Sequence, residues 1–404
     1  MRIAKTDVPV KLSVPGALAR AEAAKMRLLI VALALLACPA AGASPPGAVD
    51  VTAFGAKGDG QADDTRAIQQ AADAAAARAV AFQPPGGAYL GSSPPVYFPA
   101  GRYRITDEIK FGAYSNIRSD AGAIVEQTGD RRAFVFESGY TISVTGIRFL
   151  GGTRQIHYSN ANVDSSTLHI ESCEFHLAKE FAVYTVGTTD GHLSANLVIE
   201  KSRFILPRQV LHNACDGATV RDSWVFIGQR NFAPDGAAFV NRSGVLMFDN
   251  MFGVPTFEDS KEHERVRWVD NYDTFLANRS RFGGEYAGIP IVHHFGKADT
   301  RYPFMGQTVS IENCQISAGR AASPHAGVLT LREGVPQLIR LVGNRQLNDS
   351  PYIRAVDGLD LEEHLKERRG FKITIEPNMA FPSSPAIPRP LERFLISESR
   401  PSAR

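Results

Sequence analysis

The chain has 404 residues, of which 44% are hydrophobic and 21% are charged, and its formal net charge at neutral pH is +2. This composition is typical of a globular protein with a large core and excludes a chain too polar to fold. The sequence contains no phosphate loop, nucleotide fingerprint or nucleic-acid motif, so we predict no nucleic-acid partner.

The first pattern in chain order is a predicted secretory signal. Arg27 precedes the apolar run 28–37, and Ala41-Gly42-Ala43 forms a cleavage site of the A-x-A kind. The run is too short to span a bilayer as a mature helix, so no transmembrane segment is predicted. We therefore interpret residues 1–43 as leader and signal peptide, and we expect the mature protein to be secreted or periplasmic.

Two alternatives stay open for this segment. Met26 lies just before the signal, so translation could begin at Met1 or at Met26. The sequence ending at Cys38 is also similar to a bacterial lipoprotein box, which would make the protein an outer-membrane lipoprotein.

A predicted helix follows the signal. Asp64 or Thr65 can cap a helix over residues 66–79, whose apolar side chains share one face. We expect this helix to cover the open end of a repeat domain, because an uncovered end would expose strand edges and apolar core. Asp59, Asp63 and Asp64 are therefore interpreted as structural residues and not as catalytic carboxylates.

A six-residue pattern then recurs through most of the chain: apolar, any, small or polar, any, any, apolar. Successive copies lie 21 to 34 residues apart, which suits stacked coils with loops of variable length. The third position usually carries a residue that tolerates a tight corner. The pattern predicts one repeat domain over residues 49–376, followed by a Pro- and Ser-rich tail over 377–404. The hexads begin at Val144, Ile170, Ile199, Val220, Met247, Ala277, Ile311 and Val342.

Cys173 and Cys314 occupy the same position of hexads five coils apart. At about 4.8 Å per coil they would lie on the order of 24 Å apart, whereas a disulfide needs Cα atoms roughly 4.4–6.8 Å apart. Both are predicted to be buried free thiols.

Residues 49–68 and 96–105 resemble the N-terminal signature of the pectate-lyase-like superfamily, related to pectate lyase 3 and to glycoside hydrolase family 28. The matching motifs are Phe54-Gly-Ala-Lys-Gly-Asp-Gly60, Asp63-Asp-Thr65 and Phe98-Pro-Ala-Gly-Arg-Tyr103. The resemblance implies an all-β fold, a single-stranded right-handed parallel β-helix capped by an N-terminal α-helix, with the cap in 49–110. It also implies a function on extended polysaccharides.

In this superfamily the function lies on the outer face of stacked strands. Aligning the second strand of each coil predicts one polar outer column, with Asn213, Arg242 and Asn271 at its rim, because strand side chains alternate between two faces. The predicted column consists of Tyr158, Thr185, His212, Asn241, Asp270 and His294.

These residue types suit β-elimination, which needs a base, a group that neutralises a uronate carboxylate and an acid for the leaving oxygen. We assign His212 as base, Asn241 or Arg242 as neutraliser, and Tyr158 or His294 as acid. The sequence therefore predicts a polysaccharide lyase, a carbon–oxygen lyase acting on an acidic polysaccharide.

A second candidate region, residues 278–302, is rich in cationic and aromatic side chains, which suits a polymer with carboxylates or sulfates. Together with the column it gives the predicted substrate-binding residues, which are Asp270, Arg267, Arg279, Arg281, Glu285, His293, Lys297 and Arg301.

Two other functions stay open. A glycoside hydrolase would need two carboxylic acids, for which Asp270 and Glu285 are the candidates. A non-catalytic glycan-binding β-helix would use the same surface. No zinc spacing occurs and no metal ligand is assigned. Calcium stays open as a cofactor because Asp and Asn residues could bind it, although the sequence has no D-x-[DN]-x-[DN]-G loop. The sequence leaves the oligomeric state undetermined.

Overall fold

A computed structural model shows the fold from Ser44 onward. It describes residues 44–82, 90–120, 122–137, 139–159, 166–186, 193–228, 231–256, 266–283, 289–296, 307–317, 327–347, 351–356, 358–367, 371–376, 388–392 and 395–396. The predicted signal segment and most of the predicted tail lie outside these ranges. Within them, no helix is both long and apolar enough to cross a membrane.

Three parallel sheets are built from successive coils of the described chain. Within a coil the chain passes through a strand of sheet 1, then of sheet 2, then of sheet 3, and each strand pairs in parallel with its counterparts in the coils before and after it. This arrangement confirms the predicted parallel β-helix.

Sheet 1 contains Ile109–Phe111, Phe134–Phe136, Arg154–Ser159, Phe181–Val186, Gln209–Asn213, Ala237–Asn241, Arg267–Asn271, Val292–His294, Leu329–Leu331 and Ile353–Ala355. Sheet 2 contains Val49–Asp50, Val96–Tyr97, Asn116–Arg118, Thr141–Thr145, Ser166–Glu171, Leu193–Glu200, Cys215–Arg221, Val245–Asp249, Thr274–Asn278, Thr308–Glu312, Leu338–Val342, Lys372–Ile375 and Leu395–Ile396. Sheet 3 contains Asp59–Asp63, Arg102–Ile105, Ile124–Gln127, Arg148–Gly151, Glu174–His176, Arg203–Ile205, Trp224–Ile227, Phe252–Pro255, Arg281–Phe282, Gln315–Ile316 and Arg345–Gln346.

The remaining elements are short. Val80–Phe82 and Leu90–Ser92 form an antiparallel pair. The helices are α1 (Thr65–Ala77), α2 (Leu361–Glu367) and α3 (Arg389–Glu392), and a 3-10 turn spans Val51–Phe54.

The hexads form the corners between sheets 2 and 3. Most corners contain a residue with left-handed backbone, including Lys201 at φ 50° and Arg279 at φ 48°. Such a conformation costs a residue with a Cβ atom about 1–3 kcal/mol. Each corner offsets part of this cost by donating its backbone N–H to the next coil, as Lys201 does to the carbonyl of Arg221 and Arg279 to that of Glu312.

In two of the predicted hexads the first apolar position is assigned one residue away from the residue that faces the core. Phe248, not Met247, pairs in register with Val220 and occupies the inner position. Leu341, not Val342, pairs with Ile311. In both hexads the sequence offers two adjacent apolar residues, and only the alternation of the folded strand decides which one enters the core.

The core is continuous from coil to coil. Phe149, Phe175 and Phe204 occupy equivalent positions of sheet 3, with ring centroids 5.2 and 4.9 Å apart and interplanar angles of 8°. Cys173, Cys215 and Cys314 are buried and free, which confirms the prediction for Cys173 and Cys314. Burial raises the pKa of each thiol to about 12, so the thiols stay protonated and unreactive.

Helix α1 packs against the first coil, close to the predicted bounds. Its buried face comprises Ile68, Ala71, Ala72 and Ala75. The side chain of Gln69 donates to the carbonyl of Lys110 and accepts from its N–H, at 2.9 and 2.8 Å, and so joins the helix to the first strand of sheet 1.

The three aspartates before the helix bind backbone N–H groups. Asp64 accepts from Lys57 and Gly58, and Asp59 accepts from Gln61 and Ala62. Asp63 accepts from the N–H and the hydroxyl of Thr65, the first residue of helix α1. Backbone hydrogen bonds lower the pKa of Asp59, which agrees with the structural interpretation of these carboxylates.

A ladder of buried amides lines the corner between sheets 1 and 2. The Nδ2 of Asn213 donates to the Oδ1 of Asn241 at 2.8 Å, and the Nδ2 of Asn241 donates to the Oδ1 of Asn271 at 2.8 Å. The Nδ2 of Asn271 lies 3.0 Å from the Nδ1 of His294, which must accept. All four side chains are completely buried, so the ladder satisfies polar groups that have no access to water.

Replacing Asn241 with Leu should destabilise the protein by about 2–6 kcal/mol, because Asn213 and Asn271 would each be left with an unsatisfied buried group at about 1–3 kcal/mol each. Urea denaturation of the wild type and the variant measures this difference. Asn196→Leu, at an exposed position of sheet 2, is the matched control and should change the midpoint little. Equal midpoints for Asn241→Leu and the wild type would contradict the role of the ladder.

Candidate functional site

The outer face of sheet 1 carries one column of polar and aromatic side chains. The strand register aligns His157, Tyr184, His212, Val240, Asp270, His293 and Thr330 in successive coils. The next position of each strand points inward. Its residues are Tyr158, Thr185, Asn213, Asn241, Asn271 and His294, all completely buried.

The single column predicted from the sequence is therefore wrong. Tyr158, Thr185, Asn241 and His294 belong to the inner column, whereas His212 and Asp270 belong to the outer one. The physical reason is register: the predicted column pairs His212 with Thr185, whereas the sheet pairs it with Tyr184. A slip of one residue exchanges the two faces of a strand.

Three of the predicted catalytic side chains are held inside the β-helix. Asn241 and His294 lie in the amide ladder, and the hydroxyl of Tyr158 donates to the carbonyl of Gly139 at 3.1 Å. None of the three reaches the outer face. His212 and Arg242, by contrast, are partly exposed on that face, and they are the predicted catalytic residues that the structure brings together.

Three rings stack along the outer column, and we call them the histidine–tyrosine stack: His157, Tyr184 and His212. The centroids of His157 and Tyr184 are 5.5 Å apart, and those of Tyr184 and His212 are 4.4 Å apart. The guanidinium of Arg154 lies 3.8 Å above the ring of Tyr184. The stack thus places two imidazoles, a phenol and a guanidinium side by side on this face, and these groups can donate and accept hydrogen bonds with a uronic acid.

The hydrogen bonds of His212 fix its tautomer. Its Nδ1 lies 2.9 Å from the carbonyl of Thr185 and must donate, because a carbonyl can only accept. Burial, together with the positive charges of Arg242 and Arg154, lowers the pKa of His212 to about 4. The imidazole is therefore neutral near neutral pH, with the lone pair on Nε2.

His157 is neutral for a related reason. It is 5% exposed, and burial lowers its pKa to about 4, with a contribution from the charges of Arg132 and Arg154. The stack therefore carries two neutral imidazoles among arginines.

Arg242 extends the site to the neighbouring outer column. Its guanidinium lies 4.4 Å from the centroid of Tyr272, which stacks on Phe295 at 4.7 Å. Among the described residues no carboxylate pairs with Arg242. Its charge is therefore available to an anionic ligand.

Asp270 and Arg267 form a tight pair further along the face. The Nε and Nη2 of Arg267 donate to the two carboxylate oxygens of Asp270 at 2.5 and 2.6 Å, and both side chains are largely buried. The Nε of Arg332 donates to the Nδ1 of His293 at 3.2 Å. The structure thus places the predicted residues Asp270, Arg267 and His293 on this face, but the carboxylate and its arginine already bind each other.

The remaining predicted substrate-binding residues are not part of this site. Arg279 lies at a corner between sheets 2 and 3 and forms two hydrogen bonds with Asp249. Arg281 lies on sheet 3, with its guanidinium 5.0 Å from the ring of Phe252. The prediction that these two arginines share a region with His293 is wrong, because consecutive strands of one coil face different directions. Glu285, Lys297 and Arg301 lie outside the described residues.

One group of side chains has metal-ligand geometry in the described part of the chain. The ligand atoms of His169, Glu171 and Glu200 lie within 4.8 Å of one another on sheet 2. Glu171 already binds Lys201, and Glu200 binds Arg221 and His169. Because these cations neutralise the carboxylates, the group does not favour calcium binding.

The N-terminal part of the domain is similar to a known protein family. Residues 48–203 match the family of rhamnogalacturonase A/epimerase, pectate lyase-like proteins. Over these residues the match confirms the pectate-lyase-like resemblance predicted from the signature. The sequence matches no curated protein. Arg154, His157 and Tyr184 lie within the family match, whereas His212 and Arg242 lie beyond it.

Solved structures with similar folds have low sequence identity. The catalytic unit of the GH87 α-1,3-glucanase from Streptomyces thermodiastaticus is 15% identical, with a TM-score of 0.44, over 79% of this chain and 67% of that one. The mannuronan C-5 epimerase AlgE6 A-module from Azotobacter vinelandii is 14% identical, with a TM-score of 0.35, over 76% and 97%. The adhesin PfbA from Streptococcus pneumoniae is 12% identical, with a TM-score of 0.32, over 77% and 97%.

Sequence reasoning missed His157, Tyr184 and Tyr272 as site residues. The sequence signal for the first two was an aromatic or imidazole side chain directly before a residue of the predicted column: His157 precedes Tyr158, and Tyr184 precedes Thr185. The recurrence of Asn213, Asn241 and Asn271 at intervals of 28 and 30 residues was the corresponding signal for the inner ladder.

The neutral histidines should make the protein less stable as the pH falls from 6.5 to 4. In this range the unfolded chain binds protons that the folded imidazoles exclude, so each of His157 and His212 should lower the free energy of unfolding by about 2 kcal/mol between pH 6.5 and pH 5. Urea denaturation at the two pH values measures the loss. His157→Asn should lose less stability over this interval than the wild type, and an unchanged pH dependence would contradict the assignment.

Proposed function

We propose that the protein is a polysaccharide lyase that cleaves a uronate-containing polysaccharide by β-elimination on the outer face of sheet 1. One observation carries the proposal: His212 is a neutral imidazole of fixed tautomer, partly exposed, between the charges of Arg154 and Arg242. The family match to carbohydrate-acting proteins supports an enzyme on this substrate class. The predicted secretory signal would deliver it to polysaccharides outside the cytoplasm.

The proposed chemistry uses groups that lie together on this face. The Nε2 of His212 removes the proton from C5 of the uronate, next to the carboxylate, and the electron pair moves onto the carboxylate oxygens. Arg242 neutralises the charge that develops there. The electron pair then returns to form the double bond between C4 and C5, the bond between C4 and the linking oxygen breaks, and the hydroxyl of Tyr184, in the ring stacked on His212, protonates the departing oxygen. The products are an unsaturated uronate and a new chain end.

The carboxylates of this face fit a hydrolase less well. Hydrolysis needs one carboxylic acid and one free carboxylate on either side of the scissile bond. Asp270 has both oxygens bound to Arg267, and Glu180 binds Arg154 at 2.8 Å. A neutral histidine beside an arginine that binds no carboxylate of the described residues, in contrast, is what proton abstraction from a uronate requires.

His212→Gln should lower kcat by about 10²-fold or more, because a positioned general base contributes about that factor. The assay follows the ultraviolet absorbance of unsaturated uronate on polygalacturonate, alginate and rhamnogalacturonan. His169→Gln, a partly exposed histidine of sheet 2, is the matched control and should keep full activity.

The same assay separates the other functions. New reducing ends without unsaturated product would indicate a hydrolase. Exchange of the C5 proton with deuterated solvent without chain cleavage would indicate an epimerase. Binding without any reaction would indicate a glycan-binding protein, and each of these outcomes would contradict the lyase.

The pH profile provides an independent test. Since the pKa of His212 is about 4, kcat/KM should rise through about pH 4 and not through the ordinary histidine value near 6.5. Arg242→Gln removes a nearby positive charge and should shift this limb to higher pH. An acid limb that stays in place in Arg242→Gln would show that a group other than His212 is the base.

A further inference from the structure

The outer face of sheet 3 carries a second row of aromatic and cationic side chains, far around the coil from the histidine–tyrosine stack. The strand register places Arg203, Trp224, Phe252 and Arg281 at equivalent positions of four successive coils. We call these four residues the aromatic–arginine strip. It runs along the stacking direction of the coils, which is the direction in which an extended polymer could lie.

The centre of the strip is apolar and accessible. Trp224 is 48% exposed, which is unusual for so large a ring, and its centroid lies 4.6 Å from that of Phe252. Phe226, in the adjacent outer column, lies 6.0 Å from Trp224 with an interplanar angle of 29°. Contiguous exposed aromatic side chains rimmed by polar residues are a feature of ligand-binding surfaces.

The two ends of the strip are positively charged. The guanidinium of Arg281 lies 5.0 Å from the ring of Phe252, and its Nε has no hydrogen-bond partner among the described residues. At the other end Arg203 is 61% exposed and lies 3.5 Å from Glu174. That glutamate also faces Arg148 at 3.6 Å, so one carboxylate serves two arginines and positive charge is in excess.

We propose that the aromatic–arginine strip is a second binding site for an acidic polysaccharide, separate from the outer face of sheet 1. A sugar ring would pack its C–H face on Trp224 and Phe252, as apolar groups pack on the face of an aromatic ring. Carboxylates of neighbouring sugars would bind the planar forks of Arg203 and Arg281, which match a carboxylate in shape and charge. The excess of arginine favours this occupant over a neutral glycan or an apolar protein surface.

The site shares its ligand class with the proposed function but does not depend on the chemistry at His212. It would hold a long chain to the enzyme while sheet 1 acts on another part of the same chain. Such a second attachment raises the effective concentration of polymer at the first site, whereas a short oligosaccharide would gain nothing.

Affinity electrophoresis tests the proposal, with polygalacturonate, alginate or hyaluronate in the gel and dextran as the neutral comparison. The protein carries His212→Gln so that no turnover interferes. We expect at least one acidic polymer, and not dextran, to retard it, and we expect Trp224→Ala to weaken the binding about tenfold, as loss of an aromatic anchor does. Arg281→Gln should weaken binding and reduce its dependence on salt.

Met247→Ala, which removes an apolar side chain that is 38% exposed on sheet 2, is the control and should bind like the parent protein. Circular dichroism checks that each variant is folded. In a protein with an intact His212, Trp224→Ala should leave turnover of a short oligouronide unchanged while raising KM for the polymer. If the wild type does not turn over the oligouronide, that result contradicts the proposed lyase but not this site.

Three outcomes would overturn the second site. The first is binding of Trp224→Ala that equals that of the parent protein. The second is retardation by none of the acidic polymers. The third is sedimentation in which the parent protein self-associates and Trp224→Ala does not, because the strip would then join two copies of this chain.

Discussion

The pairing of each strand with the same strand of the next coil is the constraint on which the structure depends. It is fixed at the left-handed corners between sheets 2 and 3, where the corner N–H donates to a carbonyl one coil further on. Lys201 and Arg279 adopt this backbone although neither is a glycine, and the hydrogen bond to the next coil offsets part of its cost. Once these corners are in register, equivalent residues form columns on all three sheets, and each site becomes a row of side chains about 4.8 Å apart.

The corner between sheets 2 and 3 leaves a recognisable pattern in the sequence, and this explains which predictions were correct. A tight corner restricts residue type, so Gly146, Ser172, Asp222 and Asn313 gave a repeating signal and the parallel β-helix followed from it. The strands of sheet 1 have no such marker. There, apolar and polar residues occur at adjacent positions, as at Val240 and Asn241, and sequence alone does not show which side chain faces outward. The fold was thus predictable, but the membership of the outer column was not.

The electrostatics of the candidate site follow from its position on a crowded outer face. His212 is shielded from water by Tyr184 and receives the fields of Arg154 and Arg242, and both effects favour the neutral imidazole. In the proposed reaction the same cations would attract an anionic sugar. The surroundings that keep His212 unprotonated would then also favour the proposed substrate, so a single set of arginines would have two effects. This coupling depends on four successive coils of sheet 1 and could not be read from one motif.

The three buried thiols make the oxidation state of the protein depend on how often it unfolds. Cys173, Cys215 and Cys314 are enclosed in different coils and none can meet another without separation of the strands around it. In an oxidising compartment a disulfide between any two of them could therefore form only in a molecule that was unfolded at that moment. The oxidation state of the population would accordingly record how often the β-helix opens, and each crosslinked chain would be prevented from closing again.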